Sequence, residues 1–265
     1  MVLKNKVAVI FAAGGAVGGM VSRVFVQEGA TVFLSGRKLE SVEKLAKEID
    51  SSDGRVAVEQ VDALNQHEVN AYLDRVVKKT GKIDVVFNAI GIDPKKAGAF
   101  VAPSVDVSPG EFLDYTNSVV LSQFLTAQAA ARHMVPRRSG VVIFLTATPA
   151  RGVAPLIVGH SAGHAAVEGL IRCLATEWSP SGIRVVGIRS GGMPETPRIQ
   201  EVLAGMAKVI GMPKDMLLQA TKEKALLKRM VTVTETAQVA AFLASDSASS
   251  LTGAIINSSC GEVLD

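Results

Sequence analysis

Two histidines four residues apart, His160 and His164, are the side chains best placed by type and spacing to move a proton. Beyond them Ala165, Ala166, Leu170 and Leu174 recur at three- and four-residue intervals, the pattern of an amphipathic helix. On a helix the two imidazoles share a face, with Cβ atoms about 6 Å apart. An imidazole titrates at about pH 6.5 and can donate or accept at neutral pH. One ring could donate while the other orients it, or the two could share a proton, since two imidazolium ions that close repel. Helical His-x-x-x-His can also bind zinc, but no Glu follows His160 and no third ligand is evident, so no metal is expected. The remaining reading is that the rings fill space, hydrogen-bonded to backbone.

A second chemistry-bearing stretch follows the first apolar run. Val7-Ala8-Val9-Ile10-Phe11 reads as a strand buried on both faces, and a small-residue loop, Ala12 to Gly19, leads into a periodic helix through Val26. Strand, glycine-rich turn and helix N-terminus together form a cradle for a pyrophosphate. The residues that would line it are Ala12, Gly15, Val17 and Gly18; without a ligand the same residues make a tight turn. Thr31 to Arg37 is the second strand and its exit. An acid about 20 residues past the glycines would hold a ribose 2′-hydroxyl. Arg37 and Lys38 stand there instead, and they suit a 2′-phosphate, or else are solvated residues opening the helix 39–49.

The elements that must position these groups alternate between strand and helix. Strand 55–61 is followed by helix 65–79, strand 85–87, a loop over 93–110, and one long helix over 111–134 that Pro136 is expected to stop. Strand 141–145, helix 160–177, a sixth strand and a capped helix opening at Thr234 complete the pattern. Residues 197–228 carry Met206, Met212 and Met216, which suit an adaptable apolar wall, though packing alone would explain them.

From end to end the chain resembles the short-chain dehydrogenase/reductase family. Asn88-Ala89-Ile90-Gly91 stands where that family has Asn-Asn-Ala-Gly, and Phe242-Leu243-Ala244-Ser245-Asp246 with Leu251-Thr252-Gly253 matches its C-terminal signature. The resemblance implies a Rossmann-type doubly wound parallel sheet of seven strands, one α/β domain over 1–265, with 193–228 a helical insertion over the substrate pocket. It also implies NADP(H), held by Ala12, Gly15, Val17, Gly18, Arg37, Asp62, Asn88, Gly91 and Gly191. The family's catalytic positions fall on Val119, Ala147, His160 and His164, where relatives have Asn, Ser, Tyr and Lys; Thr146 and Thr148 flank Ala147 and could offer hydroxyls.

The expected activity is therefore NADP(H)-dependent reduction of a small carbonyl or imine-type substrate, with His160 as proton donor, supported by His164 and Thr146. The alternative is a non-redox relative: a histidine-based isomerase, dehydratase or cyclase, or a catalytically inactive small-molecule binder. A homodimer or homotetramer through helices 111–134 and 160–177 is implied as well.

Composition sets outer bounds. Of 265 residues 48% are hydrophobic and 20% charged, which fits a globular protein with a full core. The formal net charge is only +3, with its cations spread along the chain, so neither nucleic acid nor a membrane surface is implied. No apolar run reaches the roughly 20 residues a membrane span needs. Two cysteines without metal-ligand spacing, and no signal-peptide pattern, make a reducing cytoplasm the expectation.

Overall fold

The computed structural model describes residues 1–49, 54–91, 101–152 and 154–265. The strands are β1 (Val7–Phe11), β2 (Thr31–Gly36), β3 (Val56–Gln60), β4 (Val85–Asn88), β5 (Gly140–Ala147), β6 (Ile183–Ser190) and β7 (Ile255–Ser258). They form one sheet in the order β3-β2-β1-β4-β5-β6-β7. Every pairing is parallel. The order reverses between β1 and β4, and in such sheets the crevice beyond the strands' carboxyl ends at that point is where ligands sit.

Side-chain alternation explains why β1 occupies the centre. Val7, Val9 and Phe11 enter one core layer while Ala8 and Ile10 enter the other. The first layer is closed by α3 (Gln66–Thr80), α4 (Pro109–Arg137) and α5 (Val158–Trp178). The second is closed by α1 (Ala16–Gln27), α2 (Leu39–Ile49) and a C-terminal helix, α8 (Val233–Ala244). Each fully buried Val, Leu or Phe contributes roughly 1.5–3 kcal/mol to this arrangement. Between β6 and α8 lie α6 (Pro197–Ile210) and α7 (Lys214–Lys224), the helices of the expected insertion. Met206 and Met212 are half-buried there, whereas Met216 is 57% exposed.

Three helix boundaries near the site differ from the sequence reading. Helix α4 begins at Pro109, because Ser108 and Glu111 form a capping box and proline suits the first helical position. It also runs through Pro136 to Arg137. A proline forfeits only one hydrogen bond in the final turn, and Arg138, at φ 53°, ends the helix immediately afterwards. Helix α5 starts at Val158, so His160 lies in its first turn. The first part of the expected loop, 93–100, falls outside the described residues. No helix among the described residues is long and apolar enough to cross a membrane.

Candidate active site

The crossing of α4 and α5 brings the reactive side chains together. Gly159 and Gly163 of α5 face Tyr115 of α4: a Cβ at either position would stand 3.4 Å or 3.7 Å from the nearest Tyr115 atom. A methyl at either place would make ordinary van der Waals contact, and at this crossing the Tyr115 hydroxyl rests on Nδ1 of His160. The rings meet edge to face, centroids 5.3 Å apart. His164 lies one turn on, its ring 4.4 Å from that of His160, again edge to face. A third group arrives from α6, where Arg198 donates through Nη2 to the Tyr115 oxygen and, at 3.0 Å, to His160 Nδ1.

The protonation states follow from these contacts. A guanidinium has no acceptor, so in its bond to His160 it must be the donor and Nδ1 the acceptor. Burial, then His164 and the Arg198 charge, hold the His160 imidazole well below its ordinary value. At neutral pH the ring therefore carries one proton, on Nε2. His164 is 5% exposed, and burial together with Arg198 pushes its pKa down to about 3. Among the described residues neither of its ring nitrogens has a hydrogen-bond partner. Burial raises the Tyr115 phenol above its ordinary value, with Arg198 pulling the other way. Beside the cluster opens a cavity of about 40 Å³, bounded by Phe112, Tyr115, Val158 and His160, with room for a few water-sized groups.

The expected dinucleotide residues lie around the ends of β1, β2, β3 and β4. Gly15 caps α1 without any side-chain hydrogen bond, leaving the helix's first N–H groups open to an anion near Val17 and Gly18. A Cβ on Gly18 would stand 2.4 Å from the Ala12 carbonyl oxygen, so only glycine lets the helix come this close to the turn. Ala12 adopts φ 57°, the left-handed region that glycine would occupy more cheaply. The turn forms in spite of that methyl, and its cradle and uncapped helix fit a pyrophosphate. Arg37 is exposed just beyond β2. Asp62, half-buried, accepts from the Leu64 N–H at 3.0 Å. Asn88 donates to the Ser122 carbonyl and the Thr126 hydroxyl and accepts from Ile90, tying β4 to α4. Gly91 lies under Arg198: a Cβ there would come within 2.6 Å of Nη1.

At the β5 and β6 ends the side chains are engaged with the protein itself. Thr146 is 1% exposed, and its hydroxyl reaches the His164 carbonyl at 3.4 Å, which steadies α5 rather than facing the cavity. Thr148 donates to Glu262, whose carboxylate also sits where a Cβ on Gly191 would be, 2.9 Å away. Val119 is fully buried in the core, and Asn117 faces solvent two positions away, as the helical period requires. Among the described residues no group of three or more His, Cys, Asp or Glu could hold a metal ion. Tyr115, Arg198 and Glu262 were not among the residues the sequence singled out. Only Tyr115 had a local signal: it stands four residues before Val119, on the same face of α4.

Residues 12–262 match a family model described as enoyl-(acyl carrier protein) reductase. A probable 2,4-dienoyl-CoA reductase of Bacillus subtilis is 30% identical over 265 residues, spanning 99% of this chain and 98% of its own length. A peroxisomal 2,4-dienoyl-CoA reductase of Danio rerio is 26% identical over 96% of this chain and 80% of that one. Among solved structures, NAD+-bound xylitol dehydrogenase superposes with a TM-score of 0.91 at 24% identity, covering 98% of this chain and 99% of that one. Sorbitol-6-phosphate 2-dehydrogenase from Erwinia amylovora gives 0.90 at 24% identity, over 97% and 100%. At that identity the two structures establish a shared fold and nothing more.

Proposed function

The chain belongs to the short-chain dehydrogenase/reductase family, and from that membership we propose that it is an NADP(H)-dependent reductase of a small conjugated carbonyl compound. The relatives' names supply the conjugation; the residues of this chain supply the rest. The loop Ala12–Gly18 would hold the pyrophosphate, Arg37 the 2′-phosphate and Asp62 the adenine. Asn88, Gly91 and Gly191 would lie along the remainder of the cofactor. When bound, a reduced nicotinamide supplies hydride.

Proton delivery is the work of Tyr115, His160 and Arg198. As negative charge develops on the substrate oxygen, the Nε2 proton of neutral His160 passes to it. The Tyr115 hydroxyl proton then moves to Nδ1, and the phenolate is left beside the Arg198 guanidinium. One proton leaves the protein, taken in the end from Tyr115, and His160 changes tautomer without becoming an imidazolium. His164 remains neutral and holds the His160 ring edge to face. The observation that carries this reading is the hydroxyl of Tyr115 on Nδ1 of His160, with Arg198 donating to both.

The direct test is NADPH oxidation with conjugated ketones and 2,4-dienoyl thioesters, alongside calorimetry of NADPH binding. His160→Phe should lower turnover by about 100-fold or more and leave cofactor binding nearly intact. No NADPH binding by the unmutated protein, or full activity in His160→Phe, would sink the proposal. A non-redox acid/base reaction at the same rings is the second reading, favoured by the His164 nitrogens, which have no partner among the described residues. Substrate proton exchange without any nicotinamide would point to it. Exposed Leu113, Leu121 and Val158 on α4 and α5 support a homodimer or homotetramer through those helices, which light scattering would test.

A further inference from the structure

The segment after β7 ties the end of α7 to the ends of β5 and β6. Cys260 and Gly261 both adopt the left-handed conformation, at φ 55° and 79°. That turn presents two carbonyls to the chain leaving α7: Cys260 accepts from the Leu227 N–H at 3.1 Å and Gly261 from the Leu226 N–H at 3.3 Å. A Cβ on Gly261 would lie 2.8 Å from the Leu226 Cβ, so only glycine lets the two segments come this close. Next along the chain, Glu262 accepts from the Thr148 hydroxyl at 3.2 Å, just beyond β5. Asn257 donates to the Val263 carbonyl, and Arg151 to that of Leu264. Asp265 accepts from Arg189 of β6, whose other donors hold both oxygens of Glu168 on α5.

The helices between β6 and α8 are lightly held by comparison. Among the described residues α6 buries Leu203 alone and α7 buries none, its Leu217 and Leu218 being only half-buried. A helix of 11 residues is marginal by itself and is normally kept in place by a packed face. Leu226 and Leu227 are 65% and 63% exposed, so it is chiefly their backbone N–H groups that fasten the end of α7. Helix α6, which contacts α7, carries Arg198, the donor to Tyr115 and His160. We propose that residues 259–265 are a strap that clasps α7, and through it α6, so as to keep Arg198 on the His160 cluster, with the Glu262 and Asp265 carboxylates as its two fasteners. The clasp is a property of the chain itself; only its use, to admit substrate and release product, rests on the proposed function.

Hydrogen exchange of backbone amides, read by mass spectrometry, tests the clasp without any substrate. In the double variant Glu262→Ala with Asp265→Ala, the amides of α6, α7, Leu226 and Leu227 should exchange about tenfold faster or more, with β1 and β4 unchanged. Asp265→Ala alone should raise exchange at Leu226 and Leu227 about threefold. It removes an exposed carboxylate and leaves Arg189 paired with Glu168, so it decides the matter if the double variant does not fold. Asp246→Ala, which removes an exposed carboxylate paired with Lys6 instead, should exchange like the unmutated protein. His160→Phe should do so too, so failure of the reductase reading leaves the clasp standing, and failure of the clasp leaves that reading standing. Unchanged exchange in α6 and α7 overturns the proposal, as does an equal rise in Asp246→Ala. An equal rise in β1 and β4 also overturns it, because the carboxylates would then support the whole fold. A rise confined to residues 259–265 does the same, because the strap would then hold only itself.

Discussion

Tyr115 and His160 stand 45 positions apart and meet phenol oxygen to Nδ1 where α4 crosses α5. Arg198 from a third helix fixes the direction of the bond by donating to both partners. Because Nδ1 must accept, the acidic proton of His160 is on Nε2, and the proton that replenishes the ring belongs to Tyr115.

A relay of that kind makes the two residues one unit. Tyr115→Phe should lower turnover by about 100-fold while leaving NADPH affinity nearly unchanged. The double variant Tyr115→Phe with His160→Phe should be little worse than either single one, since groups acting together give non-additive losses. Steady-state kinetics of the four proteins decide it. Fully multiplicative losses would mean the residues act separately.

Much of this was readable in the sequence, and the reasons for the rest are physical. Strand and helix alternation, the glycine cradle and the shared face of His160 and His164 are all local periodicities, which survive without coordinates. The pairing of Tyr115 with His160 depends on how two helices cross, a spatial relation between residues 45 positions apart. Arg198 is harder still, because its reach across Gly91 depends on where α6 begins after β6. No spacing along the chain encodes that. Thr146 shows the reverse failure: its hydroxyl stood beside the right position, but strand alternation turned it into the core.

The pH profile should differ from that of an imidazolium donor. An imidazolium acid would lose activity as pH rises through about 6.5. Here burial holds His160 well below that value and burial raises Tyr115 above its ordinary 10.0, so the active form, neutral His160 with protonated Tyr115, spans the range between. Turnover should be flat through neutral and mildly alkaline pH and fall on the acid side, as Nδ1 is occupied. A descending limb near pH 6.5 in kcat would contradict the relay.

Stability should report His164. Its folded pKa of about 3 lies below the ordinary 6.5, so as pH falls through that interval the unfolded chain takes up a proton that the folded one refuses. Folding then weakens, by up to about 1.4 kcal/mol per pH unit for one such group, and nothing is lost above the unfolded value. His164→Phe removes the titration together with the unpartnered nitrogens. Urea unfolding at pH 7 and pH 5 should show the unmutated protein losing more stability than the variant. Equal losses would place the acid sensitivity elsewhere.

Ala12 offers a test of the cradle that does not involve ligand. Its φ of 57° is one that glycine adopts without the steric cost of a Cβ. Ala12→Gly should therefore stabilise the fold, by about 0.5–1 kcal/mol after the greater freedom of an unfolded glycine is subtracted. Thermal unfolding measures it, and a lower melting temperature would mean that the turn does not hold the left-handed conformation.

Cofactor choice depends on a single exposed side chain. Arg37 is exposed just past β2, and Gln60 donates to its backbone carbonyl at 3.0 Å. A guanidinium suits a 2′-phosphate as a fork and a dianion's partner, and it gains nothing from a 2′-hydroxyl. NADPH should thus bind more tightly than NADH by about 1.5–3 kcal/mol, the range of a hydrogen bond to a charged group. Arg37→Ala should remove most of that difference by weakening NADPH alone, while NADH affinity stays the same. Lys38→Ala should remove less, since an ammonium contributes charge without the fork. Added salt should narrow the gap in the unmutated protein, because an exposed pair is screened at a Debye length of about 8–10 Å. Titration of cofactor fluorescence against each of the three proteins gives all six affinities. Equal binding of NADPH and NADH by the unmutated protein, or a parallel loss of both in Arg37→Ala, would assign the 2′ position to some other residue.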